Sequence, residues 1–272
     1  MTSHDVVAKS RRELNTRKIG HAGTLDPMAT GVLVLGIGDG TRLLQYITAG
    51  VKAYDATVKL GQLTSTDDKE GEVIANTEIP ADIPGAFAKQ VGKIMQRPSS
   101  VSAIRIDGKR AYDLVREGKE VDIPPREVEV FDIKINEIRV DEVDISVTCS
   151  AGTYIRAIAR DLGVALGVGG HLTRLRRTHS SGFTLDDARS LDDTGLAPIP
   201  LRQALARFLT EIVVTRDEGP KVLNGLSLPW RWPDRAEPVM VIAEGGETLL
   251  AIGQQSEGRL TYFSVFNHTL AD

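Results

Sequence analysis

Residues 20–36 read Gly20-His21-Ala22-Gly23-Thr24-Leu25-Asp26-Pro27-Met28-Ala29-Thr30-Gly31-Val32-Leu33-Val34-Leu35-Gly36. The segment carries one carboxylate, Asp26, in a glycine-punctuated loop between a basic stretch upstream and an apolar run downstream. Proline biases the residue before it towards an extended conformation, so an isolated Asp-Pro pair marks a turn. Here the pair is accompanied by His21 five residues earlier, by Thr24 and Thr30, and by glycines at both ends. That company sets it apart from an ordinary turn. The apolar run over 32–35 predicts a short buried strand.

The chain around this loop has 272 residues, 41% hydrophobic and 26% charged, which fits a folded protein with a substantial core. No apolar run approaches the roughly 20 residues that a membrane-crossing helix needs. The start, Met-Thr-Ser-His-Asp, lacks the basic and apolar regions of a signal peptide. One cysteine, Cys149, excludes an internal disulfide and a cysteine-based zinc site, and suits a reducing cytoplasm. It alternates with Val143, Ile145 and Val147 and reads as a small buried hydrophobe. The net charge of −4 argues against a protein that coats nucleic acid nonspecifically. Binding follows the local field, however, and two basic clusters supply one. Lys9, Arg11, Arg12, Arg17 and Lys18 precede the Asp26 loop; His171, Arg174, Arg176, Arg177 and His179 form the second, with no acid among them. Each borders a candidate site segment, and together they point to a polyanion partner.

Taken in order, Thr2 or Ser3 can cap a helix running to about residue 15. A turn at 36–41 leads to a helix at 42–47; Gly36-Ile37-Gly38-Asp39-Gly40-Thr41 is neither of the glycine-rich phosphate motifs. Tyr54, Ala56, Val58 and Leu60 alternate on one face of a half-buried strand. A polar turn over 62–71 follows, then a helix over 85–96, a strand over 101–106 and a short helix over 109–117. Alternation over 128–140 and 143–149 predicts a hairpin. An apolar helix follows Arg156 and ends near the glycines at 167–170. After about residue 191 the composition shifts, with a helix at 201–209 and then short strands at 212–215, 239–243, 248–252 and 260–266. The fold class is therefore α+β with a largely antiparallel mixed sheet, divided into a main domain, 1–205, and a small β-rich one, 211–272.

Four ordered segments resemble the motifs of the TruB family of tRNA pseudouridine-55 synthases. They are the Asp26 loop; Tyr54 with Leu60-Gly61-Gln62 and the turn containing Asp68; Gly152-Thr153-Tyr154-Ile155-Arg156; and His171-Leu172-Thr173-Arg174-Leu175-Arg176-Arg177. Leu223-Asn224-Gly225 adds a weaker likeness to a short PUA-like RNA-binding domain. Family members usually begin with an apolar strand and a Lys-Pro turn ahead of the segment matching Met1–Asp5, so the resemblance leads one to expect an uncovered sheet edge here.

What the resemblance implies is a pseudouridine synthase catalytic domain, no cofactor and no metal, and a monomer that acts on the T-arm of tRNA in the cytoplasm. Isomerisation breaks the bond from C1′ to N1 of uridine and makes one from C1′ to C5, without redox change. Asp26 would start it, by attack on C1′ or by taking a sugar proton. Arg156 would keep Asp26 charged, since a carboxylate in a dry pocket otherwise drifts towards its neutral form. Tyr54 would lie under the uracil and its hydroxyl would serve the proton transfer at C5, with Tyr154 and Leu175 lining the same pocket. His21 would fill the space of the everted base. Arg17, Lys18, Arg174, Arg176 and Arg177 would hold phosphates. A tRNA-binding folding chaperone with incidental chemistry is the alternative, and it needs no trio of Asp26, Tyr54 and Arg156.

Overall fold

The structure is a computed structural model that describes residues 1–78, 83–99, 105–106, 109–111, 117, 121–193, 197–246 and 248–266. Two compact units result. The first comprises Met1–Asn15, His21–Leu35 and Leu44–Ala188; the second comprises Thr16–Gly20, Gly36–Leu43 and Arg189–Asp272.

In chain order the elements begin with α1 (Ser3–Glu13), β1 (Ile19–His21), β2 (Thr30–Gly31), β3 (Leu35–Ile37), α2 (Leu44–Ala49) and β4 (Lys52–Leu60). Next come β5 (Gln62–Thr64), β6 (Val73–Asn76), α3 (Ile83–Ala88), β7 (Gly92–Gln96), β8 (Arg105–Ile106), β9 (Lys109–Arg110), β10 (Arg126–Ile138) and β11 (Glu142–Cys149). The first unit closes with α4 (Ile155–Ala165), β12 (Gly170–Ser180) and β13 (Phe183–Thr184). Thr2 caps α1 through a reciprocal capping box with Asp5.

The sheet of the first unit runs β13–β12–β4–β11–β10–β7, antiparallel throughout, with β2 added to β12 in parallel. It is the largely antiparallel mixed sheet expected. Its two faces differ in chemistry. Ala56 and Val58 of β4 lie level with Ile145 and Val143 of β11 and with Leu175 and Leu172 of β12, and these six are buried together with Leu60 and Val147 on the same face. Ile155, Ile158, Ala159 and Leu162 of α4 cover that face. Each valine, leucine or isoleucine among them contributes about 1.5–3 kcal/mol when fully buried. Contact between α4 and β12 is close enough that a Cβ on Gly163 would lie 2.3 Å from the Gly170 nitrogen, so only glycine fits. The opposite face is polar: Ser146 Oγ donates to Asp55 Oδ1 at 2.8 Å, and Asp144 gathers Thr57, Arg139 and Arg174.

Two local expectations fail for one reason. Over 85–96 the chain forms α3 and then β7, because Gly92 at φ +103° leaves the helix and Lys93–Gln96 pair with Arg126–Glu129. Over 32–35 only Leu35 is strand; Val32 is buried, and its amide donates to the Arg177 carbonyl at 2.8 Å in place of a strand neighbour of its own segment. Both outcomes are set by partners far along the chain. The expected strand at 101–106 and helix at 109–117 lie mostly outside the described residues; within them, Lys109–Arg110 is strand, paired with Arg105–Ile106.

The second unit continues with α5 (Leu201–Leu205), β14 (Thr210–Val214), α6 (Gly219–Leu223), β15 (Leu228–Pro229), β16 (Val239–Ala243), β17 (Leu249–Ser256) and β18 (Arg259–Val265). Its sheet runs β14–β16–β17–β18–β15 around Ile212, Val214, Val239, Val241, Leu250 and Leu260. Its β-rich character matches the composition of the tail.

Candidate active site

The Asp26 loop is fixed from several directions. Ser3 Oγ, at the start of α1, accepts from Leu25 N at 2.9 Å, and Ala29 N closes a turn on the Asp26 carbonyl at 2.9 Å. Thr30 and Gly31 then lie alongside Arg176 and Arg177 of β12. Gly31 has φ +96°, and a Cβ there would stand 2.1 Å from the Arg177 carbonyl oxygen. Conformation and space both require glycine at this point.

Arg177 corrects the sequence reading. Its side chain is only 2% exposed, so it is no phosphate-gripping surface cation. Its Nε donates to Val32 O at 2.8 Å and its Nη2 to Gly23 O at 3.1 Å, joining both ends of the Asp26 loop to the sheet. Its charge also acts on the Tyr54 phenol, opposing the rise in pKa that burial causes there. Arg174 and Arg176 face away from this site. In the antiparallel register Arg176 is level with Asp55 and Arg177 with Tyr54, so period-two alternation sends Arg174 and Arg176 to the polar face. Arg174 Nε donates to Thr57 Oγ1 at 3.1 Å there. Arg17 and Lys18 belong to the second unit, where Lys18 pairs with Asp39 at 2.9 Å.

Asp26 and Arg156, 130 residues apart, meet as an ion pair. Arg156 Nη2 donates to Oδ1 at 3.0 Å, while Nε lies 2.9 Å from Oδ2, a charge contact off the hydrogen-bond direction. The remaining nitrogen, Nη1, donates to Thr66 O at 3.0 Å and Asp68 Oδ2 at 3.3 Å. Asp68 is itself fixed by Thr66 Oγ1 at 2.6 Å and Glu70 N at 3.0 Å. Arg156 is thus gripped on one edge and presents the other to Asp26, whose side chain stays 32% exposed. Burial pushes the Asp26 carboxyl above the ordinary aspartate range; Arg156 opposes this and Asp68 adds to it.

Tyr54 and Leu175 share the apolar face, packed with Met28 and Ala29 of the Asp26 loop. Burial raises the Tyr54 phenol, so it is neutral at physiological pH. Tyr154 precedes α4. Its amide and carbonyl are clamped by the Gln96 side chain at 2.8 and 3.1 Å, and Arg126 lies 4.9 Å above its ring. His21 meets His4 edge-on at 5.4 Å; burial first, then His4 and Arg177, lower its pKa and hold the ring neutral. Gln96 and Arg126 were not legible as site neighbours, since Gln96 falls where local pattern predicts helix. Asp68 was visible as part of a motif, but nothing local revealed its bond to Arg156.

Comparison with known proteins decides what this constellation belongs to. Residues 11–155 match the TruB family pseudouridylate synthase (N terminal domain), and residues 156–212 match the tRNA pseudouridylate synthase B C-terminal domain. The chain belongs to the TruB family. Among TruB-family relatives, the tRNA pseudouridine synthase B of Corynebacterium glutamicum (strain R) is 49% identical over 282 residues, covering 99% of this chain and 94% of that protein. The protein of the same name from Mycobacterium ulcerans (strain Agy99) is 45% identical, covering 96% and 89%. A solved chain of a Cbf5-Nop10-Gar1 complex superposes with a TM-score of 0.71 at 27% identity, over 97% of this chain and 81% of that one. Among the described residues, no cluster of three or more His, Cys, Asp or Glu side chains could hold a metal ion, and no helix is long and apolar enough to cross a membrane.

Proposed function

We propose that this TruB-family chain is a tRNA pseudouridine synthase that converts uridine 55 of the T-arm to pseudouridine, working as a cytoplasmic monomer without metal or cofactor. The observation that carries the reading is the Asp26–Arg156 pair: a half-open carboxylate whose partner is held from behind by Asp68 and Thr66. A chaperone that only binds tRNA has no use for a carboxylate kept in this way.

Asp26 is the group that acts at the sugar, and it must be ionised to do so. Arg156 favours the ionised form against burial and fixes which oxygens face the substrate. Tyr54 stacks under the uracil, a contact worth about 1–3 kcal/mol, which retains the detached base while it turns. Its neutral phenol can relay the proton leaving C5 by handing its own proton to water or to the Asp26 carboxylate, which is free again once the C1′–C5 bond has formed. Eversion of the uridine costs a few kcal/mol, offset by this stacking and by Tyr154, Leu175 and His21 around the base. Phosphate contacts fall to the exposed cations Arg17, Lys18, Arg174 and Arg176, and to the second unit as a PUA-like RNA-binding domain.

Transcribed tRNA bearing tritium at uracil C5 tests the proposal, because the label leaves as C5 bonds to C1′. One equivalent of tritium per tRNA is expected, and none when uridine 55 is replaced by cytidine. Undiminished release from the cytidine-55 transcript would overturn the assignment of that position.

A further inference from the structure

Behind the Asp26–Arg156 pair stands a second acid–base pair with no evident task in the reaction. Asp67 and Asp68 are consecutive, 7% and 5% exposed, and Arg156 and Arg160 are one turn apart on α4. Asp68 bonds Arg156, whereas Asp67 Oδ2 takes Arg160 Nη1 at 3.0 Å. The left-handed backbone of Asp67, φ +61°, separates the two neighbouring carboxylates. Arg160 is in turn anchored: Nη2 donates to the Arg97 carbonyl at 2.7 Å and Nε to Asp161 Oδ1 at 2.9 Å. Backbone hydrogen bonds from Leu172 N to Asp67 O at 3.0 Å and from Lys69 N to Leu172 O at 2.9 Å tie the loop to β12.

Arg156 therefore has three acids within electrostatic reach: Asp26, Asp68 and Asp67. A buried carboxylate without a partner is costly, and one that loses its partner turns to the nearest cation. We propose that Arg160 is a positioning residue: by holding Asp67 it keeps that carboxylate off Arg156 and leaves the Nε–Nη2 edge of Arg156 to Asp26. The inference rests on the reading of Asp26 and Arg156 as the catalytic pair.

Arg160→Met, Asp67→Asn and the double substitution form the test, with single-turnover tritium release, KM and melting temperature measured for each. Asparagine tolerates the left-handed backbone, so Asp67→Asn removes the charge without forcing the loop. Arg160→Met should lower kcat by about 10- to 100-fold with little change in KM, the scale of a roughly 1 Å misplacement of a catalytic group. Asp67→Asn alone should stay near wild type. The double substitution should recover most of the lost rate, because the competing charge is gone. A pair that merely braces the fold gives the opposite pattern, a double variant as slow as Arg160→Met or slower. Should Arg160→Met not fold, an inactive double variant beside an active Asp67→Asn overturns the proposal. A crystal structure of Arg160→Met reads the geometry without activity. Arg156 moved from Asp26 to Asp67 supports the inference, and an unmoved Asp26–Arg156 pair refutes it. Absence of tritium release from wild type would count against the functional reading alone.

Discussion

Arg177 and its neighbours Arg174 and Arg176 form one basic run in sequence, and substituting each by methionine should separate them. At Arg177 two carbonyls, Val32 O and Gly23 O, would lose their donors. An unsatisfied buried acceptor costs about 1–3 kcal/mol. Part of that returns, because the substitution also removes a charge that is 2% exposed and whose Nε and Nη2 bond only neutral carbonyls. The balance is a loss of about 2 kcal/mol, with methionine filling most of the volume. For a unit of this size that lowers the melting temperature by about 4–8 °C. The freed loop carries Asp26, so kcat should drop by about 10- to 100-fold. Arg174→Met and Arg176→Met should change stability by no more than about 0.5 kcal/mol and leave kcat intact. They should weaken tRNA binding and flatten its salt dependence. Differential scanning fluorimetry and single-turnover tritium release at two salt concentrations measure all of this. If Arg177→Met kept its melting temperature and kcat and only flattened the salt dependence, the structural role given to Arg177 would be wrong.

Three further outcomes are expected. Gly31→Ala should abolish activity and lower the melting temperature, because the new Cβ would stand 2.1 Å from the Arg177 carbonyl at φ +96°; an active, stable variant would mean that the loop docks differently. The acid limb of kcat/KM should lie above 3.8, since activity needs ionised Asp26 and burial raises its pKa; Asp68→Asn should move the limb down, and an upward shift would contradict the electrostatics. Lys52 is buried, donates to Ile47 O and Gly50 O at 2.8 Å each, and has its pKa pulled down by burial to about 8. A depressed lysine pKa adds stability as pH rises from about 8 towards the ordinary lysine value of 10.5, so the melting temperature of wild type should gain on Lys52→Met over that window, and a constant gap would refute it.

Much of this was legible in the residues themselves. The alternation of Tyr54, Ala56, Val58 and Leu60, and of Val143 to Cys149, is the buried face of the sheet, because a half-buried strand imposes period two on its own sequence. The Gly-Thr-Tyr-Ile-Arg segment placed Arg156 at the start of a helix that reaches Asp26. The second basic cluster misled where it was read as charge alone. Leu175 and Arg177 are two residues apart on one strand, so a leucine turned to the core takes Arg177 with it, and Arg174 and Arg176 go to the other face. That signal was present in the spacing. The strand at Gly92–Gln96 had no such signal, since its pairing with β10 is made some 30 residues away in sequence. The division of labour between Asp67 and Asp68 depends on one left-handed residue and a helix nearly 90 residues later, which no local pattern encodes.

The central claim is that Asp26, held by Arg156, carries the isomerisation. Single-turnover release of tritium from C5-labelled tRNA, by wild type and by Asp26→Asn with binding measured in parallel, addresses it most directly. Both proteins should bind the tRNA with similar affinity, and only wild type should release the label. Release by Asp26→Asn at the wild-type rate would contradict the claim.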